Sequence, residues 1–496
     1  MLLIPTLPKS YFPSGNRGGC PHLLPVVLIC CYFLLSYAPP CLGGHKMTLS
    51  EKIKAATATS QQSHTTSATT EDSNYWFQNA EVSLQQKLVS QKTIKKKAKN
   101  VIFVIGHGMG ISTITASRIF KGQKEGRTFG EEANLKMNEL PNVALSKTFC
   151  QNSQVAESAC ASSALLCGTL ANAATVGLTS NVQFGDCIGQ QNKANHLTSI
   201  LAAAQDRGMS TGFVVNTRVT HSVVAATYAH SANTAWENDK KVTDSGENSD
   251  LCDDTAEQLI FGDVGKRINV ILGGGRNEMI PNTTLDVETN QPGHRTDGKN
   301  LIDSWLQSKN PQTAKYVWNK EQLLSVDTKK TDHLLGLFSY SNMGYVNEAE
   351  SNADPSLAEM TKVAIDILSK NPSGYFLFIE GGRIDQANHE NKAQKAFLEV
   401  LGLDDAILAA MTIDLQYTQM TGLPLIEETH GGEDVAVYSR GPWSHLLAGV
   451  NHESYIPHVI AYAACLDFPG KSQFKGVHCY ETSSSYLNHP TFQYNP

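Results

Sequence analysis

Glu380, Asp385 and His389 stand close together in one stretch, YFLFIEGGRIDQANH, which runs from Tyr375 to His389. Asp385 and His389 are four positions apart, so on a helix they share one face and can grip one metal ion. The competing reading of the pair is an N-cap aspartate and a surface histidine. His430, in EETHGG, could complete an Asp/His/His set of the kind used by catalytic zinc sites, which leave one position open. Ser158, in VAESACA, opens an Ala/Ser-rich helix. A hydroxyl there lies beside the positive end of the helix dipole, which suits a nucleophile that must become an oxyanion or hold a phosphate. By itself such a serine also reads as an N-cap. No GxSxG elbow surrounds it, so a serine-hydrolase triad is not expected.

These residues need a scaffold that brings distant segments to one edge. Tyr375–Ile379 and Asn100–Ile105 (NVIFVI) are unbroken apolar runs of the kind that form strands buried on both faces. The first run stops at Glu380, and Gly381-Gly382 then permit a sharp turn into a helix. The second leads into the glycine cluster around His107 (GHGMG) and a helix rich in Thr, Ala and Ser. As a dinucleotide fingerprint that cluster is incomplete, because Ile111 and Thr113 stand where the last glycine is required. Further strands are predicted at Thr211–Asn216, Val270–Leu272 and Asp434–Tyr438, with helices at Leu197–Gln205, Pro355–Lys370 and Ile456–Cys465. Strands alternating with helices argue for an α/β fold, a central mostly parallel sheet covered by helices on both faces. The glycine-rich ends of NVIFVI, NVILGG and FLFIEGG then share one edge, where open sheets bind ligands.

With 496 residues and 41% hydrophobic residues, the chain can bury a core of ordinary proportions. Its net charge is −7; the first 45 residues carry Lys9, Arg17 and no acid, leaving 38 basic against 47 acidic residues beyond them, or −9. That balance argues against nucleic acid as a partner. Residues 1–45 read as a signal peptide with a long n-region and an apolar run at Leu23–Tyr37, or alternatively as a signal anchor. Residues 46–95 form a polar segment with one helix predicted over Tyr75–Val89, and residues 96–482 make up the main domain. The polar C-terminus carries no lipid-anchor signal, so the expected location is the secretory pathway, extracellular or at the cell surface. Cys187 with Cys252 and Cys465 with Cys479 are candidate disulfides, whereas Cys150, Cys160 and Cys167 read as buried thiols. Asn282-Thr283-Thr284 is a glycosylation sequon in a polar loop.

Taken in order, VIGHGMG, VAESACA, RVTHSVVAATYAH, ILGGGR, FIEGGRIDQANH and EETHGGEDVAVYSRGP resemble the metazoan alkaline phosphatases. The resemblance covers about residues 70–480, and both candidate disulfides fall where that family has its pair. It implies an α/β fold and a homodimer. It also implies hydrolysis of phosphomonoesters through a phosphoserine, with two zinc ions and one magnesium. Matched residue by residue, Ser158 corresponds to the nucleophile, Asp385, His389 and His430 to a complete first zinc site, and Glu380 to a magnesium ligand. Glu157 stands where an Asp usually precedes the nucleophile.

Four departures set limits on that match. His107 replaces the Asp of GDGMG that bridges the second zinc and the magnesium, and an imidazole has one lone pair to offer. Val223 replaces a hydroxyl of the magnesium site, although His221 beside it is retained. Thr234 replaces the phosphate-clamping Arg and brings neither fork nor charge. The TADHSH segment of the second zinc site and the crown domain are missing, an internal deletion near residues 412–423. The resemblance therefore implies one zinc site, while the second zinc and the magnesium lack ligands. Two functions follow from this: a strongly impaired phosphomonoesterase, or a secreted pseudo-phosphatase acting as a zinc-containing binding or structural protein. Strands left without a neighbour by the deletion would also expose edge groups.

Overall fold

Aromatic and branched side chains alternate across the central strands, and each face of the sheet receives its own set. The computed structural model describes residues 93–348, 354–411, 430–468 and Cys479. The expected leader, the Tyr75–Val89 helix and residues 412–423 lie outside the described residues. Chain contacts divide the molecule after Gln85, and all described residues belong to the second unit, Gln86–Pro496.

The strands are β1 (Val101–Gly106), β2 (Asn142–Lys147), β3 (Ser210–Arg218), β4 (Val270–Gly274), β5 (Ala314–Val317), β6 (His333–Leu337), β7 (Tyr375–Gly381), β8 (Val435–Ser439) and β9 (Gly449–His452). Six of them form one sheet in the order β1-β7-β3-β4-β6-β5. Every pairing in it is parallel. Along β7, Phe376 and Phe378 join one core with Phe213, Val215 and the helices Ile200–Asp206 and Thr255–Phe261. Tyr375, Leu377 and Ile379 join the other, with Val214 and the helices Leu357–Leu368 and Ala393–Met411. The α/β reading of the sequence is thus met, with both faces covered.

Three readings need correction. The strand at Asp434–Tyr438 exists as β8, but it lies outside the main sheet. It pairs antiparallel with β2, and β9 pairs parallel on the other side of β2, in a sheet of three strands. The second correction concerns β1, which is only partly buried along its whole length. It pairs with β7 on one side and, among the described residues, with no strand on the other. In a parallel ladder alternate backbone groups point to each side, so half of those on β1 face away from β7.

The third correction concerns the cysteines. Cys187–Cys252 and Cys465–Cys479 are bridged as expected, and Cys167 is a free buried thiol. Cys150 and Cys160, however, are bonded to each other with their Cα atoms 5.6 Å apart. The loop after β2 folds back, its Cys150 N–H donating to the Ser153 carbonyl and its Gln151 N–H to the Ala171 carbonyl. That return places Cys150 against the first turn of the Ser158–Cys167 helix, a proximity invisible in the apolar pattern of the stretch.

Candidate metal and nucleophile site

Glu380 does not end β7 but lies within it, fully buried, in register with Ile105 of β1 and Val215 of β3. Beyond it the chain turns at Gly382, and Asn216 at the end of β3 holds the turn. The Asn216 Oδ1 accepts from Gly382 N–H at 2.8 Å and from Arg383 N–H at 3.2 Å. Asn216 in turn donates to Glu399 at 2.9 Å, and Glu399 also accepts from Val346 N–H at 2.7 Å. Burial pushes the Glu399 carboxyl up to about 7, against the pull of those bonds and of Arg383. The turn releases the helix Arg383–His389, which carries Asp385 and His389 on one face as the spacing predicts.

Asp385, His389 and His430 converge. Their ligating atoms all lie within 4.8 Å of one another. His389 Nε2 is 3.5 Å from Asp385 Oδ2 and 3.2 Å from His430 Nε2. His430 Nδ1 pairs with the Ala156 carbonyl at 2.9 Å, so that nitrogen carries the proton and Nε2 is left as the lone-pair atom facing the cluster. Gly108 permits the close approach of the β1 turn. Its φ is +65°, and a Cβ there would come within 2.5 Å of Asp385 Oδ1.

Ser158 is the first residue of its helix, but it is not the cap. Glu157 takes that role, accepting from Ala159 N–H at 2.9 Å and Cys160 N–H at 2.7 Å. The N-cap reading of Ser158 fails because its neighbour's longer carboxylate already satisfies those donors. Ser158 Oγ is paired instead with His107 Nε2 at 2.8 Å. The same nitrogen is 3.6 Å from Asp385 Oδ2, so His107 stands between the serine and the Asp/His/His cluster.

The other side of His107 faces a buried carboxylate. His107 Nδ1 is 3.2 Å from Glu380 Oε1, yet no hydrogen bond is aligned between them. Burial opposes protonation of His107, but Glu380, Asp385 and Glu157 outweigh it and raise its pKa. His221, three residues beyond the end of β3, sits beside both, its ring centre 5.6 Å from that of His107. Burial lowers the His221 pKa to about 4, so it is neutral at physiological pH. The sequence offered a sign of this neighbour, because His221 follows β3 at the same sheet edge as His107 and Glu380.

A cavity of about 830 Å³ opens over these groups. Ser158, His107, Asp385, His389 and His430 line it together with Val223 and the whole of β1. Thr234 is not among its lining residues, and Arg440 is the only Arg or Lys that is. Residues from five separate stretches of sequence are thus brought to one place, with no arginine fork beside the serine among the described residues.

Comparison with known proteins bears on this arrangement. The family model for alkaline phosphatase matches residues 98–415 and 409–466. The tissue-nonspecific alkaline phosphatase of Gallus gallus is 40% identical over 473 residues, covering 80% of this chain and 90% of that protein. The membrane-bound alkaline phosphatase of Bombyx mori is 35% identical over 485 residues, covering 82% and 88%. Among solved structures, the alkaline phosphatase of the Antarctic bacterium TAB5 superposes with a TM-score of 0.55 at 21% identity, covering 76% of this chain and 100% of that one.

Proposed function

This chain belongs to the alkaline phosphatase family, and on that footing we propose that it hydrolyses phosphomonoesters through a phosphoserine on Ser158, with strongly reduced power. The observation that carries this reading is the shared cavity, in which Ser158 Oγ at a helix N-terminus opens beside the Asp385/His389/His430 cluster. The donors of that cluster fit zinc, with two imidazoles, one carboxylate and a position open to solvent. Zinc held there would act as a Lewis acid toward a phosphoryl or leaving-group oxygen. Ser158 would supply the attacking oxygen, and its helix N-terminus would favour the phosphate charge. His107 Nε2, at hydrogen-bond distance, would position that oxygen.

The reduction follows from what surrounds the serine. Among the described residues Arg440 is the one guanidinium lining this cavity, and position 107, just after β1, carries an imidazole in place of a carboxylate. Elements of this kind are each worth several kcal/mol, and about 1.4 kcal/mol is tenfold in rate. Two observations support an internal deletion near 412–423. The family match runs in two pieces, and an alignment of 473 positions draws on only 80% of these 496 residues. A second reading, a catalytically inactive zinc-containing binding or structural protein, is favoured by the open cavity along β1. A secretory route is supported by the leader at 1–45 and the three disulfides. The sequon residue Asn282 is exposed, which suits a glycan, and a homodimer remains the family expectation.

The deciding experiment measures p-nitrophenyl phosphate turnover at alkaline pH with zinc, comparing the full chain with Ser158→Ala. Zinc-dependent turnover that the substitution abolishes is the expected result. Turnover no greater than that of Ser158→Ala would replace the hydrolase reading by the binding one.

A further inference from the structure

We infer that His107, His221 and Glu380 form a second, buried metal site that takes a zinc-class dication in preference to magnesium. This inference stands whether or not the chain turns over phosphomonoesters.

Four buried atoms in this cluster make no hydrogen bond: His107 Nδ1, His221 Nδ1 and both carboxylate oxygens of Glu380. Buried polar groups are normally satisfied, so four unsatisfied ones in one place call for a missing partner. The donors of the three residues lie within 4.8 Å of one another. Glu380 is 0% exposed and His107 is 9% exposed. All three residues come from the same edge of the sheet, on neighbouring elements. His107 follows β1, Glu380 belongs to β7, and His221 follows β3, in the strand order β1-β7-β3. Anchoring on adjacent strands fixes their separation, as a preorganised site requires.

The proton count points the same way. With a proton on Nε2, His107 donates to Ser158 Oγ at 2.8 Å, and its Nδ1 lone pair then faces a carboxylate oxygen at 3.2 Å. Two acceptors at that distance repel unless a proton or a cation lies between them. An Nδ1 proton, in the reverse tautomer or on an imidazolium favoured by Glu380, Asp385 and Glu157, would make Ser158, His107 and Glu380 a metal-free relay, but no hydrogen bond is aligned between His107 and Glu380 and His221 Nδ1 would stay unpaired. A cation also serves His221 and the second oxygen of Glu380, which a single proton cannot do.

The donor set selects the cation. Magnesium demands near-octahedral oxygen coordination and is held by carboxylates and water. Two imidazoles with one carboxylate suit zinc and its neighbours in the first transition row. Val223, buried at 4% exposure in the wall of the same cavity, adds no oxygen. The site is separate from the Asp385/His389/His430 cluster, because His107 turns its other nitrogen toward that side. Occupancy would hold His107 in one tautomer, with its Nε2 proton on Ser158 Oγ.

The test uses the full chain and a His389→Ala/His430→Ala variant that empties the outer cluster. Both are stripped with chelator, re-equilibrated with zinc in a large excess of magnesium, desalted and analysed for metal. The expected contents are about two zinc per wild-type chain and about one in the double variant, with none once Glu380→Gln or His221→Asn is added. Cobalt in place of zinc should give the double variant a visible d–d absorption that the added substitution removes. A further variant, His107→Asp in the double-variant background, exchanges an imidazole for hard oxygen and should shift the competition toward magnesium by about tenfold or more. Circular dichroism checks that each variant is folded, and should Glu380→Gln and His221→Asn unfold, the metal competition in the double variant decides alone. A folded double variant that takes up no zinc overturns the inference, as does one in which magnesium competes on equal terms. Ser158 labelling by a fluorophosphonate in chelator, together with absent zinc uptake, would assign the cluster to the metal-free relay.

Discussion

Replacing Glu399 by Gln should destabilise the protein at acid pH, a cost that vanishes or reverses above neutrality. Glu399 is 2% exposed and accepts two hydrogen bonds, one on each oxygen, from Asn216 Nδ2 and Val346 N–H. Its carboxyl ionises at about 7 in the fold, against an ordinary value of 4.5, because burial penalises the charged form. Between these two values the unfolded chain has lost a proton that the folded chain keeps, so stability falls as pH rises. At about 1.4 kcal/mol per pH unit, the loss across that window amounts to about 3 kcal/mol. The contribution is whole below pH 4.5 and gone above pH 7. Glutamine does not titrate, but its amide nitrogen cannot accept, so one of the two donors loses its partner at a cost of about 1–3 kcal/mol at every pH. Glu399→Gln should therefore be the less stable protein near pH 4.5 and equal to or more stable than wild type at pH 8. Urea unfolding in chelator across that range, with the difference between the two proteins taken at each pH, cancels the titration of all other groups. A difference that stays constant from pH 4.5 to 8 would refute the reasoning.

The remaining predictions concern the site and its supports. Gly108→Ala forces a side chain into left-handed backbone and against Asp385. It should cost about 1–3 kcal/mol in denaturant unfolding and weaken zinc uptake at the outer cluster. The double substitution Cys150→Ala/Cys160→Ala opens a loop of sequence separation 10 beside Ser158. By loop entropy it should lose about 2–3 kcal/mol, read as a lowered unfolding midpoint. Expressed through a secretory route, Asn282→Gln should remove a glycosidase-sensitive mass increment from the wild-type chain, its residue being exposed on a polar loop.

Much of the scaffold was legible because buried parallel strands carry unbroken apolar runs. The runs at NVIFVI, TGFVVN and YFLFI mark β1, β3 and β7 to within two residues at each end. Short strands such as β5 (Ala314–Val317) and β6 (His333–Leu337) gave no such signal, since four or five residues of mixed character match several local states. The partial burial of β1 is not legible in its sequence for a different reason. Its sequence is that of a central strand, but whether a second neighbour is present depends on chain elsewhere.

For the site, the sequence by itself placed Asp385 and His389 on one helix face as a candidate ligand pair, because helical spacing is a local property. The order of the remaining motifs identified His430, Ser158 and the family. Only the tertiary structure decided how these groups face one another. Glu157 takes the cap and leaves Ser158 to His107, and Cys150 pairs with Cys160 across a returning loop. His221 stands with His107 and Glu380 around unsatisfied donor atoms. Each is a contact between segments far apart in the chain or carried by a turn of the backbone. Hydrophobic patterning fixes which face of a strand is buried, but the order of the strands in the sheet decides which side chains meet at its edge.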